Sequence, residues 1–349
     1  IDEWLEHGIV ARGLAYLEGI DYRQTPPAPL LQDLDREMPM PSWDLLPMDK
    51  YRAYNWMCFG ESTRQPYAAF YTTLGCPYAC DFCAVQSPFY AGQSLAGMSG
   101  NSYRRWSPSR VGETLEHLVK TYGIRHVRLA DEMFVLHQGH VEGICDEILA
   151  RHLDLNIYVY ARADTCGNLA LLQKMKRAGF AWVCIGLESA SQALRTSVGK
   201  TYSNQVVETA VKNLSSAGMH LLANFLVGLP GETQASMDAT LQEALRVNAE
   251  FFNLYACTAY PGSPLYLRAL KEGLPLPAKW EDYSQHAKGF LPLPSPTLTS
   301  AEIVAFRDRA WREYFTASAY REKLQRAFGP SAVQAVERML AVRLERVHG

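Results

Sequence analysis

From about Tyr67 the chain alternates short apolar runs with longer stretches of helical periodicity. Ala68-Ala69-Phe70-Tyr71-Thr72-Thr73 predicts a first strand. Ser107-Pro108 predicts a helix start, a capping hydroxyl followed by proline in the first turn. That helix carries Val111, Leu115, Leu118 and Val119 on one face and stops near Gly123. The pattern continues with a strand His126–Ala130, a helix around Gln138–His152 and a strand Ile157–Tyr160. Next come a helix from Leu169 to Ala178, a strand Trp182–Leu187 and a helix from Ser203 to Ala217. A strand His220–Val227, a helix from Thr233 to about Ala249 and a last strand Phe252–Ala256 complete the series. Six apolar strands separated by helices indicate a parallel sheet with crossover helices. A closed eight-fold barrel needs about 250 residues and this region has about 200, so the expectation is an α/β fold with a partial, open (β/α)6 TIM-like barrel.

The flanks read differently. Residues 1–66 predict a connector: a short helix and a strand within Ile1–Ile20, then a proline-rich stretch with Pro26, Pro27 and Pro29. Met38-Pro39-Met40-Pro41-Ser42-Trp43-Asp44-Leu45-Leu46-Pro47 cannot form a regular element, because each proline removes a donor and restricts its neighbour. Its Trp and Leu side chains are expected to anchor it across another surface. After a barrel over 67–275, residues 276–349 predict a C-terminal helical extension with helices near Ser300–Thr316 and Ser331–Val347. Ile303, Phe306, Ala310, Trp311 and Tyr314 repeat at helical spacing and are expected to pack on the barrel.

Composition narrows the class. A formal net charge of −2 gives no electrostatic argument for nucleic acid, and no apolar run is long enough to span a membrane as a helix. Eight cysteines in 349 residues, without a secretory leader, predict a reduced, cytoplasmic protein. The chain begins with Ile1 rather than Met, which suggests N-terminal truncation.

Three of the cysteines fall in Gly75-Cys76-Pro77-Tyr78-Ala79-Cys80-Asp81-Phe82-Cys83. Gly75 and Pro77 favour a tight turn, and Cys80 and Cys83 are spaced to face the same way. Three thiolates from one loop suit an iron–sulfur cluster with one iron open, since such clusters are usually held by four cysteines. A zinc knot with Cys58 as fourth ligand is the alternative, disfavoured because zinc ribbons show two C-x-x-C pairs and only one is present. His137-x-x-His140 has metal spacing but no third partner nearby in sequence, and reads as a solvated pair at a helix start.

Cys76-x-x-x-Cys80-x-Phe82-Cys83 resembles the signature of the radical S-adenosylmethionine (SAM) enzymes. The resemblance implies that Cys76, Cys80 and Cys83 hold a 4Fe–4S cluster whose open iron takes the methionyl part of SAM. Reductive cleavage of SAM then gives a 5′-deoxyadenosyl radical that abstracts hydrogen from a small-molecule substrate, with the electron supplied by a flavodoxin- or ferredoxin-type donor. Parallel β/α folds place their chemistry at the carboxyl ends of the strands, and those ends match segments of the family. By that resemblance Asp131 and Glu132 meet the methionine amino group, although the two glycines common there are missing. Arg162 pairs with the methionine carboxylate, and Glu188 and Ser189 meet the ribose or methionine moiety. Asn224 through Gly228, together with Phe82, approach the adenine. For Arg162 and Glu188, a structural ion pair within the barrel mouth is the competing reading.

The connector, Asp131-Glu132, Glu188-Ser189, Gly228-Leu229-Pro230-Gly231-Glu232 and Tyr260-Pro261-Gly262-Ser263 together look most like the cobalamin-binding branch, many members of which transfer methyl groups. That branch carries an Asp-x-His-x-x-Gly segment for the lower cobalamin ligand, and the sequence has none. The expectation is therefore a radical enzyme in which cobalamin-dependent methyl transfer stands beside rearrangement, dehydration or oxidation without cobalamin. A non-catalytic, zinc-stabilised binding module is the rival from another class.

Overall fold

The computed structural model describes residues 12–26, 28–85 and 103–347. Its centre is a six-stranded, all-parallel sheet: β1 (Tyr67–Phe70), β2 (His126–Leu129), β3 (Asn156–Ala161), β4 (Phe180–Glu188), β5 (His220–Val227) and β6 (Phe251–Ala256). The strands lie in chain order, each paired only with its sequence neighbours, so β1 and β6 form two unpaired edges and the barrel is open. The crossovers are α1 (Pro108–Tyr122), α2 (Gln138–Ala150), α3 (Leu169–Arg177), α4 (Gln192–Ser197) with α5 (Asn204–Ser216), and α6 (Gln234–Val247). Local chemistry sets their ends: the Ser107 side chain caps α1 and Gly123 stops it in the left-handed conformation.

The first strand is shorter than its sequence suggests. β1 ends at Phe70, because the next backbone donors, Thr72 N–H and Thr73 N–H, bond the Asp131 carboxylate rather than a neighbouring strand. Thr73–Leu74 then pairs antiparallel with Arg104–Arg105.

The connector closes the amino-terminal end of the barrel. Trp56 inserts its ring among Tyr158, Trp182 and Phe251, with centroids 4.8, 5.0 and 5.7 Å away. Trp43 packs edge-on against Phe70, 6.2 Å between centroids, and anchors the proline-rich strap as expected, whereas Leu45 and Leu46 are exposed and do not. One continuous apolar core runs from Leu34 and Trp43 through the strands to Val336. Where a strand was expected near the N-terminus there is a hairpin, Ala15–Glu18 with Asp21–Gln24; the expected first helix falls largely on residues 1–11, outside the described residues.

The C-terminal segment covers the β6 edge. It comprises α7 (Pro264–Glu272), α8 (Ser300–Thr316), α9 (Ser318–Phe328) and α10 (Pro330–Ala341). The Gln285 amide acts as a one-residue strand substitute, accepting from Ala256 N–H (3.0 Å) and donating to the Ala256 carbonyl (2.9 Å). Arg307 Nε donates to the Leu254 carbonyl at 2.9 Å. Exposed edge groups invite pairing with another chain, and here side chains satisfy them. Helices α7 and α9 were not anticipated from sequence. Among the described residues no helix is long and apolar enough to cross a membrane.

Candidate functional site: a three-cysteine cavity

The cysteine loop leaves β1 and is fixed from three sides. Asp131, at the end of β2, is fully buried; Oδ1 accepts from Thr72 N–H (2.6 Å) and Thr73 N–H (3.0 Å), while Oδ2 accepts from the Thr72 hydroxyl (2.5 Å). Burial outweighs these bonds and pushes the Asp131 pKa up to about 7. His140 Nε2 lies 3.2 Å from the same hydroxyl, and His137 accepts from the His140 N–H as the cap of α2, so this pair has structural work rather than a metal. From the second side, Asp81 N–H donates to the Val198 carbonyl at 3.2 Å. Gly199 (φ +84°) permits that approach: a Cβ there would lie 3.1 Å from the Ala79 carbonyl oxygen and 3.4 Å from Cys80 Cα. From the third, Leu265 N–H at the start of α7 donates to the Asp81 carbonyl at 2.9 Å. Within the loop, Cys83 N–H bonds the Cys80 carbonyl at 3.0 Å, forming a turn that keeps both thiols on one side.

Cys76, Cys80 and Cys83 line a cavity of about 320 Å³ at the carboxyl ends of the strands. All three are free thiols, and burial raises their pKa values, that of Cys76 to about 11. Phe82, Asp131, Glu132 and Arg162 line the same cavity, so seven of the eleven residues singled out from sequence meet in one place. Glu132 Oε2 is buried and has no hydrogen-bond partner among the described residues; burial raises its pKa. Arg162 forms a two-pronged pair with Asp164, Nε–Oδ1 and Nη2–Oδ2 both 3.0 Å. Its plane lies over the Tyr78 ring at 3.8 Å, and Nη1 points to Cys80 Sγ at 3.8 Å.

The other four residues fall elsewhere. Glu188 sits at a bulge that ends β4, with φ +61°, and forms a buried ion pair with Lys200. Arg162 and Glu188 therefore do not pair with each other; each has its own partner. Ser189 packs against α6, its hydroxyl 3.2 Å from that of Thr240, and accepts from Ser191 N–H. The Asn224 side-chain Oδ1 accepts from the Asn253 side-chain amide across β5 and β6 at 3.0 Å. Gly228 (φ +77°) makes room for α8, since a Cβ would lie 2.8 Å from an Ile303 methyl. Leu226, two residues before it, shares an apolar cluster with Phe82, Val198 and Leu229.

Lys200 is the residue that sequence reasoning missed. Its ammonium bonds Glu188 and the Gly186 carbonyl (3.3 Å) and lines the cavity 5.9 Å from the Phe82 ring centroid. Burial disfavours its charge, but Glu188, Tyr202 and Cys80 together outweigh burial and raise the pKa. An ammonium has three donors, so one remains for the cavity. A larger cavity, about 680 Å³, lies between β6 and α8–α10 and shares no lining residue with this one.

Among the described residues the group of three or more ligand atoms within 4.8 Å of one another is Cys58, Glu61 and His126, not the three cysteines. The cysteine sulfurs are thus spread too widely to chelate a single ion, as a multi-iron cluster requires, and Cys58 is engaged elsewhere. The residues fit a 4Fe–4S cluster. The family model described as the Radical SAM superfamily matches residues 70–244. The chain belongs to that superfamily.

Membership carries a 4Fe–4S cluster and SAM as cofactors. Among relatives, an uncharacterized methyltransferase, PH0819, of Pyrococcus horikoshii is 33% identical over 272 residues, 78% of this chain and 55% of that protein. The anaerobic magnesium-protoporphyrin IX monomethyl ester cyclase of Rubrivivax gelatinosus is 29% identical over 243 residues, 69% of this chain and 40% of that protein. The chain spans about half the length of these relatives. The cobalamin-dependent SAM radical enzyme OxsB superposes with a TM-score of 0.65 over 96% of this chain and 52% of its own, at 16% identity. The radical SAM methyltransferase TsrM from Kitasatospora setae gives 0.51 over 59% of this chain and 39% of its own, at 21% identity. These two show the shared fold, the partial barrel expected from sequence.

Proposed function

We propose that this radical SAM enzyme transfers a methyl group to a small-molecule substrate, with cobalamin held by a part of the protein outside these 349 residues. The observation that carries the site is the single cavity that joins the three thiols to Glu132, Arg162 and Lys200. The cluster, when bound, supplies the electron that cleaves SAM. Glu132, whose Oε2 is buried with no partner among the described residues, receives the methionine amino group. The remaining Lys200 donor takes the methionine carboxylate, the role that sequence assigned to Arg162. Arg162, its fork held by Asp164, orients beside Cys80 and offsets negative charge there. Phe82 and Leu226 provide the apolar surface for adenine.

Methyl transfer is favoured by the relative in Pyrococcus and by further methyltransferases among the relatives, including a bacteriochlorophyllide d C-8(2)-methyltransferase of Chlorobaculum tepidum. The cyclase similarity supports a second reading, a radical oxidation without methyl transfer. An electron donor of flavodoxin or ferredoxin type and a reduced, cytoplasmic setting complete the proposal; eight free cysteines support the latter.

The test is anaerobic incubation with reductant and SAM, with and without methylcobalamin. A reduced cluster signal in electron paramagnetic resonance that shifts on adding SAM is expected. With substrate, S-adenosylhomocysteine alongside 5′-deoxyadenosine indicates methyl transfer, and 5′-deoxyadenosine alone indicates the second reading. A protein that binds zinc in the three-cysteine loop and no iron would sink both.

A further inference from the structure

At the amino-terminal ends of the strands, opposite the cysteine cavity, three different ligand types converge. Cys58 ends the one-turn helix Trp56–Cys58, Glu61 follows in the turn closed by Glu61 N–H to the Cys58 carbonyl (3.0 Å), and His126 opens β2. One ligand atom from each lies within 4.8 Å of the other two. Cys58 and His126 are buried, while Glu61 is about one-third exposed and leaves a side open to solvent.

Protons alone do not satisfy this cluster. His126 Nε2 lies 2.8 Å from a Glu61 carboxylate oxygen, which requires a donor, and 3.1 Å from the Asn156 side-chain amide, which requires an acceptor. Turning the amide round would set its oxygen against the Met57 carbonyl, to which Asn156 Nδ2 now donates at 3.3 Å. His126 Nδ1 and Asn156 Oδ1 are buried without partners among the described residues. A small cation gives the thiolate, the carboxylate and the imidazole a common electrophile.

We propose that Cys58, Glu61 and His126 bind a zinc ion that clamps the connector to the floor of the barrel. A sulfur, an imidazole nitrogen and a carboxylate oxygen are the zinc donor types, and tetrahedral coordination leaves the fourth position for water from the exposed side. Binding displaces the Cys58 thiol proton to solvent. The clamp fixes the segment that carries Trp56 into the barrel. It is separate from the iron–sulfur loop: β2 and the residues after it, from His126 to Asp131, span about 16 Å at an extended rise.

The experiment uses cluster-loaded protein dialysed against dilute zinc chloride, with zinc and iron measured by mass spectrometry. One zinc per chain is expected in addition to the cluster iron, lost in Cys58→Ser and His126→Gln, and retained when Cys76, Cys80 and Cys83 are all replaced by Ala. Cobalt(II) in that triple variant should show a thiolate-to-cobalt charge-transfer band that vanishes on adding Cys58→Ser. Should the Cys58 and His126 variants fail to fold, the partly exposed Glu61→Gln is expected to weaken zinc binding by roughly tenfold or more. Wild-type protein that retains no zinc, or a Cys58→Ser or Glu61→Gln variant that binds zinc as tightly as wild type, overturns the proposal.

Discussion

Lys200 and Glu188 form an ion pair with less than one-tenth of either side chain exposed, at the rim of the three-cysteine cavity. Gly186 makes the pair sterically feasible, since a Cβ there would collide with Glu188 Oε1 and the Lys200 ammonium. Removing one partner strands a buried charge, so Lys200→Met should cost about 3–5 kcal/mol, read as a lower denaturation midpoint. The double variant Lys200→Met, Glu188→Leu should recover most of that loss, because no charge is left unpaired. SAM binding, followed by the shift of the reduced cluster signal, should stay impaired in both. Normal SAM affinity in the double variant would confine the pair to stability.

Asp131 separates a loop-fixing role from a charge role. Asp131→Asn keeps an oxygen for the two backbone donors and should retain the iron content and most of the stability. Asp131→Ala leaves Thr72 N–H and Thr73 N–H buried without acceptors and should cost about 2–4 kcal/mol. Cluster occupancy, measured as iron per chain after anaerobic reconstitution, should fall in the alanine variant only. Equal iron loss in both variants would point instead to the carboxylate charge.

Glu232 makes folding stability depend on pH. Its side chain is fully buried, one oxygen accepts from Leu229 N–H at 2.9 Å and the other has no partner among the described residues. Burial pushes its pKa up to about 7, above the value of an unfolded glutamate. The folded state therefore holds the proton more tightly, and stability falls as pH rises from the ordinary carboxylate range through about 7. Glu232→Gln mimics the neutral acid and should flatten this slope, gaining on the order of 1–3 kcal/mol relative to wild type at alkaline pH and little at pH near the ordinary carboxylate value. Denaturant titrations at several pH values, on protein without SAM, check it; parallel profiles for the two proteins would refute it.

Gly199→Ala should damage the iron site without touching a ligand. Its left-handed backbone strains any side chain, and the Ala79 carbonyl, 3.1 Å from an added Cβ, must shift to admit a methyl group; the strain is on the order of 1–3 kcal/mol. The expected outcome is lower iron retention with a near-normal far-ultraviolet circular dichroism spectrum.

The strand order, the five crossovers and the three cysteines were legible because they rest on periodicity and short-range spacing. The helices over 264–272 and 318–328 were not. The first begins at Pro264 inside what reads as a turn, and the second follows α8 with only Ala317 between them. Glu132 and Arg162 line the cavity, yet no local signal distinguishes a carboxylate that holds a loop, as Asp131 does, from its neighbour that faces the cavity. Lys200 carries no motif: a lysine is ordinarily exposed, and its burial depends on Glu188 and Gly186, twelve and fourteen residues earlier in the chain. The Cys58, Glu61 and His126 cluster is invisible for the same reason, since 65 residues separate Glu61 from His126.

The last strand of the sheet is finished by Gln285 and Arg307 rather than by another strand. A ladder between strands ties the position of every residue to its register, whereas two side chains tie down only three backbone groups. Away from Gln285, Arg307 and the α8 side chains buried in the core, the segment after Pro275 is therefore free of any register with the sheet. The molecule thus joins a barrel bound by ladders to a rim held by individual side chains, and only the barrel has a register to lose.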